Sequence, residues 1–438
     1  MPSSEIMGGV PEPPLPSSLP ASSNSSETQS PSPALFNFSL PFSVFVFCLA
    51  LISWIPLFQG SPSTPPPSSL PPPRTPPALL FLTQPLSRVH AAALHFARDG
   101  RWVTAPSPSS DAPVLPPGTP LVTLPPAYHD FPAFTSSCGS AEERALPLSQ
   151  RWRLPAGGGS LPDYPTWDYS LTCAALAGHA VVVVGDSLSG EFTDTLVSAL
   201  RHPSSGGSLL RAFRANVCPG GRVPVLSVPA TRFSDEDHFP HWEEPTFYAP
   251  RPLNGLLFRE ALGEAAAAAA AATGAEDGAR SVWVLNRGAH FADTGEHLAR
   301  VAAALAYVRA LAPRAAVLWR TTPPAHPDAV EDPARVQRAA PLREPLNESR
   351  YAGNAWAQRY HWWAVWAQNG ATLQSLPGDV VPLDVARGAA LRHDSHCERG
   401  GGEPDGTHYC MPGPIDTWVE LFAAVVRFAR FGGAAGGA

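Results

Sequence analysis

The sequence lacks lysine altogether, and all 30 of its basic residues are arginine. Together with abundant alanine, glycine and proline, we interpret this bias as a property of the genome. The formal net charge of −7 is spread along the chain, and the absence of a basic block argues against nucleic-acid binding. None of the six cysteines forms a C-x-x-C pair, which argues against a zinc site. With 438 residues, the chain is long enough to form one large hydrophobic core with accessory segments.

The first 80 residues have an unusual composition. Residues 1–33 and 59–80 are rich in proline and serine, which predicts a disordered tail and a stiff, extended linker. Between them, residues 34–58 carry no charge and hold about the 20 apolar residues that cross a bilayer. We predict a single transmembrane signal anchor here. A cleaved signal peptide is the alternative, because the small residues Gly60 and Ser61 follow.

The cysteines help to indicate the cellular compartment in which the chain folds. Cys48 lies in the apolar segment, and the others are Cys138, Cys173, Cys218, Cys397 and Cys410. An oxidising lumen would allow two disulfides and one spare thiol, whereas a cytosolic protein would keep all five reduced. Asn347 begins an Asn-Glu-Ser tripeptide, which is a glycosylation acceptor if it is lumenal.

Strand and helix patterns alternate over the rest of the chain. Apolar runs predict strands at 179–187, 279–291, 314–324 and 379–385, and amphipathic runs predict helices at 189–202, 293–313, 354–370 and 414–431. This alternation predicts an α/β sandwich of three layers around a parallel sheet. We place a catalytic domain at 135–432 and an accessory segment at 81–134. The alanine run 265–272 is interpreted as an inserted low-complexity helix or loop.

Ser187 stands where a ligand would bind in such a sheet. It follows Gly185 and Asp186 at the carboxyl end of the first strand and begins the next helix. The N–H groups of a helix N-terminus suit a developing oxyanion, but a serine needs a base to become a nucleophile. Asp405 and His408, three positions apart after the fourth strand, could supply an orienting carboxylate and that base. The alternative is that Ser187 is an ordinary turn serine.

Several blocks resemble a known family. "VVVVGDSLSGEF" at 181–192 is similar to the first block of SGNH (GDSL-type) hydrolases. "DGTHYCMPGPIDTW" at 405–418 resembles the C-terminal block of the PC-esterase branch, which includes the plant trichome birefringence-like proteins. "LNRGAHF" at 285–291 and "LDVARGAALRHDSH" at 383–396 resemble its middle blocks more loosely. The resemblance covers about residues 135–430 and implies an SGNH-hydrolase-like fold.

The resemblance also implies an activity. It indicates a single-pass Golgi membrane enzyme with a lumenal catalytic domain. A secreted enzyme is the alternative if the apolar segment is a cleaved signal peptide. Either enzyme would transfer acetyl groups from acetyl-CoA or another acetyl carrier to hydroxyls of a glycan or cell-wall polysaccharide, with no tightly bound cofactor and no metal. Ser187 would be the nucleophile, His408 the base and Asp405 its orienting residue. Asn286 would donate to the oxyanion, with Gly288 and His290 in the same block.

Two other functions stay open on the sequence, and the family pattern is incomplete. An acetylesterase would use the same triad, and a non-catalytic glycan-binding protein could share the fold. Plant members carry a cysteine directly after the late aspartate, where this chain has Gly406. Their disulfide pattern therefore cannot be transferred whole, and we expect Cys410 to pair with Cys138 or Cys173.

Overall fold

A computed structural model gives the structure of the chain. It describes residues 84–104, 150–153, 168–200, 214–230, 233, 253, 256–288, 290, 292–332, 341–396, 398–399, 403–410 and 413–431. The predicted tail 1–33, anchor 34–58 and linker 59–80 lie outside these residues. None of the helices within the described ranges is long and apolar enough to cross a membrane.

The described chain alternates between strands and helices. The strands are β1 (Arg101–Thr104), β2 (Gln150–Arg153), β3 (Ala180–Gly185), β4 (Arg214–Val217), β5 (Val223–Pro229), β6 (Ser281–Leu285), β7 (Ala316–Arg320), β8 (Val380–Leu383), β9 (Glu398–Arg399) and β10 (Glu403–Pro404). The α-helices are α1 (Leu86–Arg98), α2 (Tyr169–Leu176), α3 (Ser187–Leu200), α4 (Phe258–Thr273), α5 (Thr294–Leu311), α6 (Pro327–Glu331), α7 (Ala355–Tyr360), α8 (Val365–Ser375), α9 (Ala386–Ala390) and α10 (Pro414–Phe431). Short 3₁₀ turns lie at Pro219–Gly221, Glu348–Tyr351, Trp362–Ala364 and His393–Ser395.

A six-stranded sheet in the order β4-β5-β3-β6-β7-β8 forms the centre of the fold. β3 pairs in parallel with both β5 and β6, and β7 and β8 continue in parallel. Among the described strands of this sheet, only the edge strand β4 runs antiparallel to its neighbour. The predicted α/β class with a central, mostly parallel sheet is therefore confirmed, and it fits an SGNH-like fold.

Helices cover both faces of the sheet. Val181 and Val183 point into one core with residues of α1, α2, α3 and α10. Val182 and Val184 point into the other core with residues of α4 and α5. Successive side chains of a strand point to opposite faces, so a strand covered on both sides needs an unbroken apolar run. This requirement accounts for the four consecutive valines of β3.

α1 belongs to the same core, although it lies within the segment interpreted as accessory. Its residues Val89, Ala93 and Phe96 are buried in one cluster with Phe422 of α10. The following strand β1 pairs antiparallel with β2. The described part of segment 81–134 is thus packed onto the α/β core.

The region between β3 and β6 differs from the sequence expectation. It contributes two further strands, β4 and β5, which the sequence pattern did not predict. The alanine run lies in α4, where Ala265 and Ala269 are buried against the sheet beside Phe258. It is therefore a core helix and not a peripheral insertion.

The helix predicted at 354–370 is divided. His361 adopts a left-handed conformation with φ of 51°, which ends α7, and a 3₁₀ turn leads into α8. α8 continues past Gly370 to Ser375. A glycine within a helix costs only about 1 kcal/mol relative to alanine, so the packing of α8 outweighs it.

The disulfide expectation is partly wrong. Cys173 of α2 bonds to Cys218 at the end of β4, and 45 positions separate them. Cys173 therefore cannot pair with Cys410. Cys410 is itself disulfide-bonded, and its partner lies outside the described residues. Its pairing with Cys138 stays a prediction.

Candidate active site

The site lies at the carboxyl edge of the sheet, where β3 passes into α3. β3 ends at Gly185 and α3 begins at Ser187. The carbonyl oxygen of Asp186 accepts the N–H groups of Ser189 and Gly190, and its carboxylate accepts the N–H of Leu188 at 3.2 Å. Asp186 therefore caps the helix, and Ser187 is held half-buried in its first turn.

Asp405 and His408 share a tight turn between β10 and α10. Asp405 Oδ1 accepts the backbone N–H groups of Thr407 at 2.9 Å and His408 at 3.1 Å. Its other oxygen, Oδ2, lies 2.8 Å from His408 Nδ1. An ionised carboxylate can only accept hydrogen bonds, so Nδ1 carries the ring proton and Nε2 is left as an acceptor.

His408 Nε2 lies 2.7 Å from Ser187 Oγ. The side chains of His408 and Asp405 are only 7% and 9% exposed, which shields this contact from water. The structure thus brings the three residues predicted from the strand ends into one hydrogen-bonded chain. The spacing is what a general base needs to take the proton of a hydroxyl nucleophile.

Gly406 is fixed by close packing. A Cβ at this position would lie 2.5 Å from the carbonyl oxygen of His326, 2.9 Å from the Val330 side chain and 3.0 Å from the Trp362 ring. The cysteine that plant members carry here would not fit. The departure from the family pattern at Gly406 therefore has a local steric reason.

Asn286 is held in a buried network behind the serine. Its Nδ2 donates to the carbonyl oxygen of Arg320 at 2.9 Å and to Thr322 Oγ1 at 3.1 Å. Its Oδ1 accepts from the Arg320 guanidinium at 2.7 Å, which also reaches Ser189 Oγ at 2.9 Å. Both amide hydrogens of Asn286 are used in these contacts, so they do not support the oxyanion role predicted for it.

Gly288 and His290, predicted from the same block, lie beside Asp186. A Cβ at Gly288 would overlap the Asp186 carboxylate, so only glycine allows this approach. His290 Nε2 lies 3.7 Å from Asp186 Oδ2, and its ring packs edge-on against Tyr360 with centroids 5.7 Å apart. Both residues therefore lie against the carboxylate of Asp186, which directly precedes Ser187.

Glu191 is a buried acid one helical turn beyond Ser187. It is 1% exposed, and burial raises its pKa to about 8, helped by the charges of Asp405 and Asp186 and opposed by His408. Neither carboxylate oxygen has a hydrogen-bond partner of good geometry within the described residues. The Tyr409 N–H is nevertheless close enough to favour the charged form. At neutral pH this carboxyl is mostly protonated.

Sequence reasoning assigned no role to Glu191, Arg320, His326 or His396. Glu191 and His396 lie in the blocks that resemble the family, but their burial and their contacts are decided by the fold. For Arg320 there was one signal, a charged residue at the end of an otherwise apolar strand. Within the described ranges no group of three or more His, Cys, Asp or Glu side chains could hold a metal ion.

Residues 290–425 match the PC-Esterase family, described as the GDSL/SGNH-like acyl-esterase family found in Pmr5 and Cas1p. The resemblance drawn from the sequence is therefore confirmed. The match covers less than half of the chain. No curated protein sequence matches the chain.

The matched range contains His290, Asp405 and His408, whereas Ser187 and Asn286 precede it. A PC-esterase domain implies hydrolase or acyltransferase activity, and the family indicates a substrate of carbohydrate type.

Proposed function

We propose that the chain is a serine-dependent O-acetyltransferase that acetylates hydroxyls of a glycan through an acetyl-Ser187 intermediate. One observation carries the proposal: the continuous contact from Asp405 through His408 to Ser187, with steps of 2.8 and 2.7 Å. An exposed turn serine would not need a buried histidine and carboxylate behind it.

In the first half-reaction, Ser187 Oγ attacks the carbonyl carbon of an acetyl donor while His408 Nε2 takes the hydroxyl proton. Asp405 keeps the ring proton on Nδ1 and stabilises the imidazolium that forms. The carbon–heteroatom bond to the leaving group then breaks, and His408 returns the proton to that group. The product is acetyl-Ser187.

In the second half-reaction, a hydroxyl of the acceptor attacks the acetyl carbon. His408 takes the hydroxyl proton and gives it to Ser187 Oγ as the ester bond to the serine breaks. The backbone N–H of Ser187, in the first turn of α3, is the donor we favour for the oxyanion in both steps. Since both amide hydrogens of Asn286 are bound by Arg320 and Thr322, we assign Asn286 a positioning role.

The acceptor decides between a transferase and an esterase, since the same three residues serve a sugar hydroxyl or water. The half-exposed ring of Tyr360 against His290 places an aromatic surface next to the serine turn. Such a surface suits the apolar face of a sugar ring, and it favours the transferase. An acetylesterase that uses water is the second candidate.

Acetyl-CoA or another acetyl carrier would enter as a substrate, with a glycan or cell-wall polysaccharide as acceptor.

The disulfide between Cys173 and Cys218 supports folding in an oxidising compartment. We propose that residues 34–58 anchor the chain in the Golgi membrane with the catalytic domain in the lumen. Cleavage after this segment would instead give a secreted enzyme.

The test compares the full-length chain with its Ser187→Ala variant. Both are incubated with 4-nitrophenyl acetate and a panel of oligosaccharides, and free acetate and acetylated sugar are measured by mass spectrometry. Ser375→Ala is the matched control, because Ser375 ends α8 at the opposite edge of the sheet.

Acetylated sugar that disappears only in Ser187→Ala supports the transferase. Acetate alone, lost in the same variant, supports the esterase. Equal activity in all three proteins would contradict both.

A further inference from the structure

Two buried histidines connect to the backbone of His408. His396 Nδ1 lies 2.5 Å from the carbonyl oxygen of His408, and His396 Nε2 lies 2.7 Å from His326 Nδ1. The other nitrogen of His326, Nε2, lies 3.0 Å from the carbonyl oxygen of Ala390. His326 and His396 are 0% and 1% exposed. A chain of three polar contacts thus runs from Ala390 to the peptide of His408.

These three contacts need more protons than two neutral rings possess. A carbonyl oxygen only accepts, so the ring nitrogen at each end of the chain must carry a hydrogen. The central contact between two nitrogens needs one more. Three protons on two imidazoles make the pair a cation, whereas a neutral pair has two and must give up one contact.

Burial favours the neutral pair. It lowers the pKa of His396 to about 4 and that of His326 well below its ordinary value. Of the two carbonyl contacts, the one to His408 is the shorter. In the neutral pair His326 Nδ1–H therefore donates to His396 Nε2, and His396 Nδ1–H donates to the His408 carbonyl. The Ala390 carbonyl is the group that loses its donor.

We propose that His396, oriented by His326, is a positioning residue that fixes the peptide of His408 and so aims its ring at Ser187. This inference rests on the proposed function, since it assigns a partner to the base of that reaction. Two backbone contacts hold the same loop: Cys410 N–H donates to the Ser395 carbonyl at 2.7 Å, and His326 N–H donates to the Gly406 carbonyl at 2.8 Å. The His396 side chain adds a directional contact at the catalytic residue itself.

The pair also introduces a dependence on pH. The charged and titratable groups around it are His408, Asp405 and Tyr409 of the catalytic loop, together with His393 of the preceding 3₁₀ turn and Arg392 directly before that turn. Acidification supplies the third proton, which restores the Ala390 contact and places a positive charge beside His408. We therefore expect kcat of the wild-type chain to show an additional acid titration that disappears when His396 is replaced.

The experiment uses three variants of the full-length chain. His396→Phe removes the donor to the His408 carbonyl, and we expect kcat to fall about 10–100-fold while KM changes little. His396→Asn can place its amide N–H near the position of Nδ1, and we expect it to recover most of kcat. His179→Phe is the matched control, because His179 is also a buried histidine bound to a carbonyl, that of Ala177, but lies before β3 at the opposite edge of the sheet.

The outcomes separate the two proposals. Activity that survives Ser187→Ala would contradict the proposed function. Activity that is lost in Ser187→Ala but is unchanged in His396→Phe would contradict the positioning role alone. An equal fall in kcat in His396→Phe and His179→Phe would show a general loss of packing and would also contradict the positioning role.

A second measurement does not depend on activity or on a variant that must fold. In ¹⁵N-histidine spectra of the wild-type chain at pH 7, His396 and His326 should both be neutral and carry the proton on Nδ1. A His396 ring protonated on Nε2 only would leave the His408 carbonyl without this donor and would overturn the inference.

Discussion

His408 Nε2 and Ser187 Oγ lie 2.7 Å apart, although 221 positions separate the two residues in the chain. Ser187 begins α3, and His408 lies just before α10. The two helices pack against each other through Phe192 and Phe422, whose rings meet edge-on with centroids 5.9 Å apart. The proposed nucleophile and its base are therefore aligned by the packing of one helix on another.

Replacing Asp405 with asparagine should nearly abolish turnover while the fold persists. The asparagine oxygen can still accept the N–H groups of Thr407 and His408, so the turn should form. Its amide, however, would donate to His408 Nδ1 and force the ring proton onto Nε2, which could then no longer accept from Ser187. We expect kcat to fall about 10⁴-fold.

The control for this change is Asp277→Asn, since Asp277 pairs with Arg314 near the amino ends of the strands. Steady-state kinetics of both variants test the prediction. Activity of Asp405→Asn within tenfold of the wild type would show that Asp405 does not set the tautomer.

Gly288→Ala should damage both stability and activity. The new methyl group would overlap the Asp186 carboxylate, which caps α3 directly before Ser187. Gly263→Ala is the matched control, because Gly263 lies within α4 and a Cβ there meets nothing within 4 Å. That variant should gain about 0.5–1 kcal/mol from the better helix propensity of alanine.

Thermal unfolding and steady-state kinetics of both variants test this prediction. The melting temperature should rise in Gly263→Ala and fall in Gly288→Ala. Gly263→Ala should keep wild-type kcat, whereas Gly288→Ala should lose melting temperature and kcat together. Normal kcat in Gly288→Ala would mean that the position of Asp186 is unimportant for the serine.

Glu191→Gln should stabilise the protein at alkaline pH. Burial raises the pKa of Glu191 from 4.5 to about 8. Between these two values the unfolded chain releases the proton and the folded chain retains it, so stability falls as pH rises through this window and then levels off. A neutral glutamine avoids that loss, which is on the order of a few kcal/mol at pH 8.

Denaturation of wild type and Glu191→Gln at pH 4 and pH 8 measures this difference. The gain from the substitution should be present at pH 8 and mostly absent at pH 4. Glu296→Gln, an exposed change on α5, should show no such dependence. An equal effect of Glu191→Gln at both pH values would contradict a raised pKa.

The fold was predictable where the sequence pattern was long and regular. The valine run of β3, the amphipathic α5 and the apolar α10 were identified from periodicity alone. β4 was missed because it is short, and β5 was missed because Pro224 and Pro229 within it argue against a strand. The alanines of α4 carried no amphipathic signal, and only the sheet beneath them shows which face is buried.

The same limit applies to the site. Ser187, Asp405 and His408 could be proposed because each follows a strand at one edge of a parallel sheet. Two other contacts could not be predicted, because no local spacing encodes them. They are the contact of Arg320 with the Asn286 amide and that of His326 with His396, 70 positions away. The disulfide partner of Cys173 was also decided by the fold.

Removing the Cys173–Cys218 bond should weaken the fold without changing the chemistry. The bond closes a loop between α2 and β4 on the approach to β3. Replacing both cysteines with alanine should cost about 2–5 kcal/mol in the free energy of unfolding. Denaturant unfolding of the oxidised protein checks this value, and unchanged stability with unchanged kcat would contradict a structural role for the bond.

The most direct test of the account is to trap the acyl-enzyme. The full-length chain is mixed with 4-nitrophenyl acetate, quenched in acid within the first turnovers and digested for mass spectrometry. We predict one acetyl group on Ser187, much less of it in His408→Ala, and none in Ser187→Ala, which should also lose turnover. Acetylation elsewhere with undiminished turnover in Ser187→Ala would contradict the account.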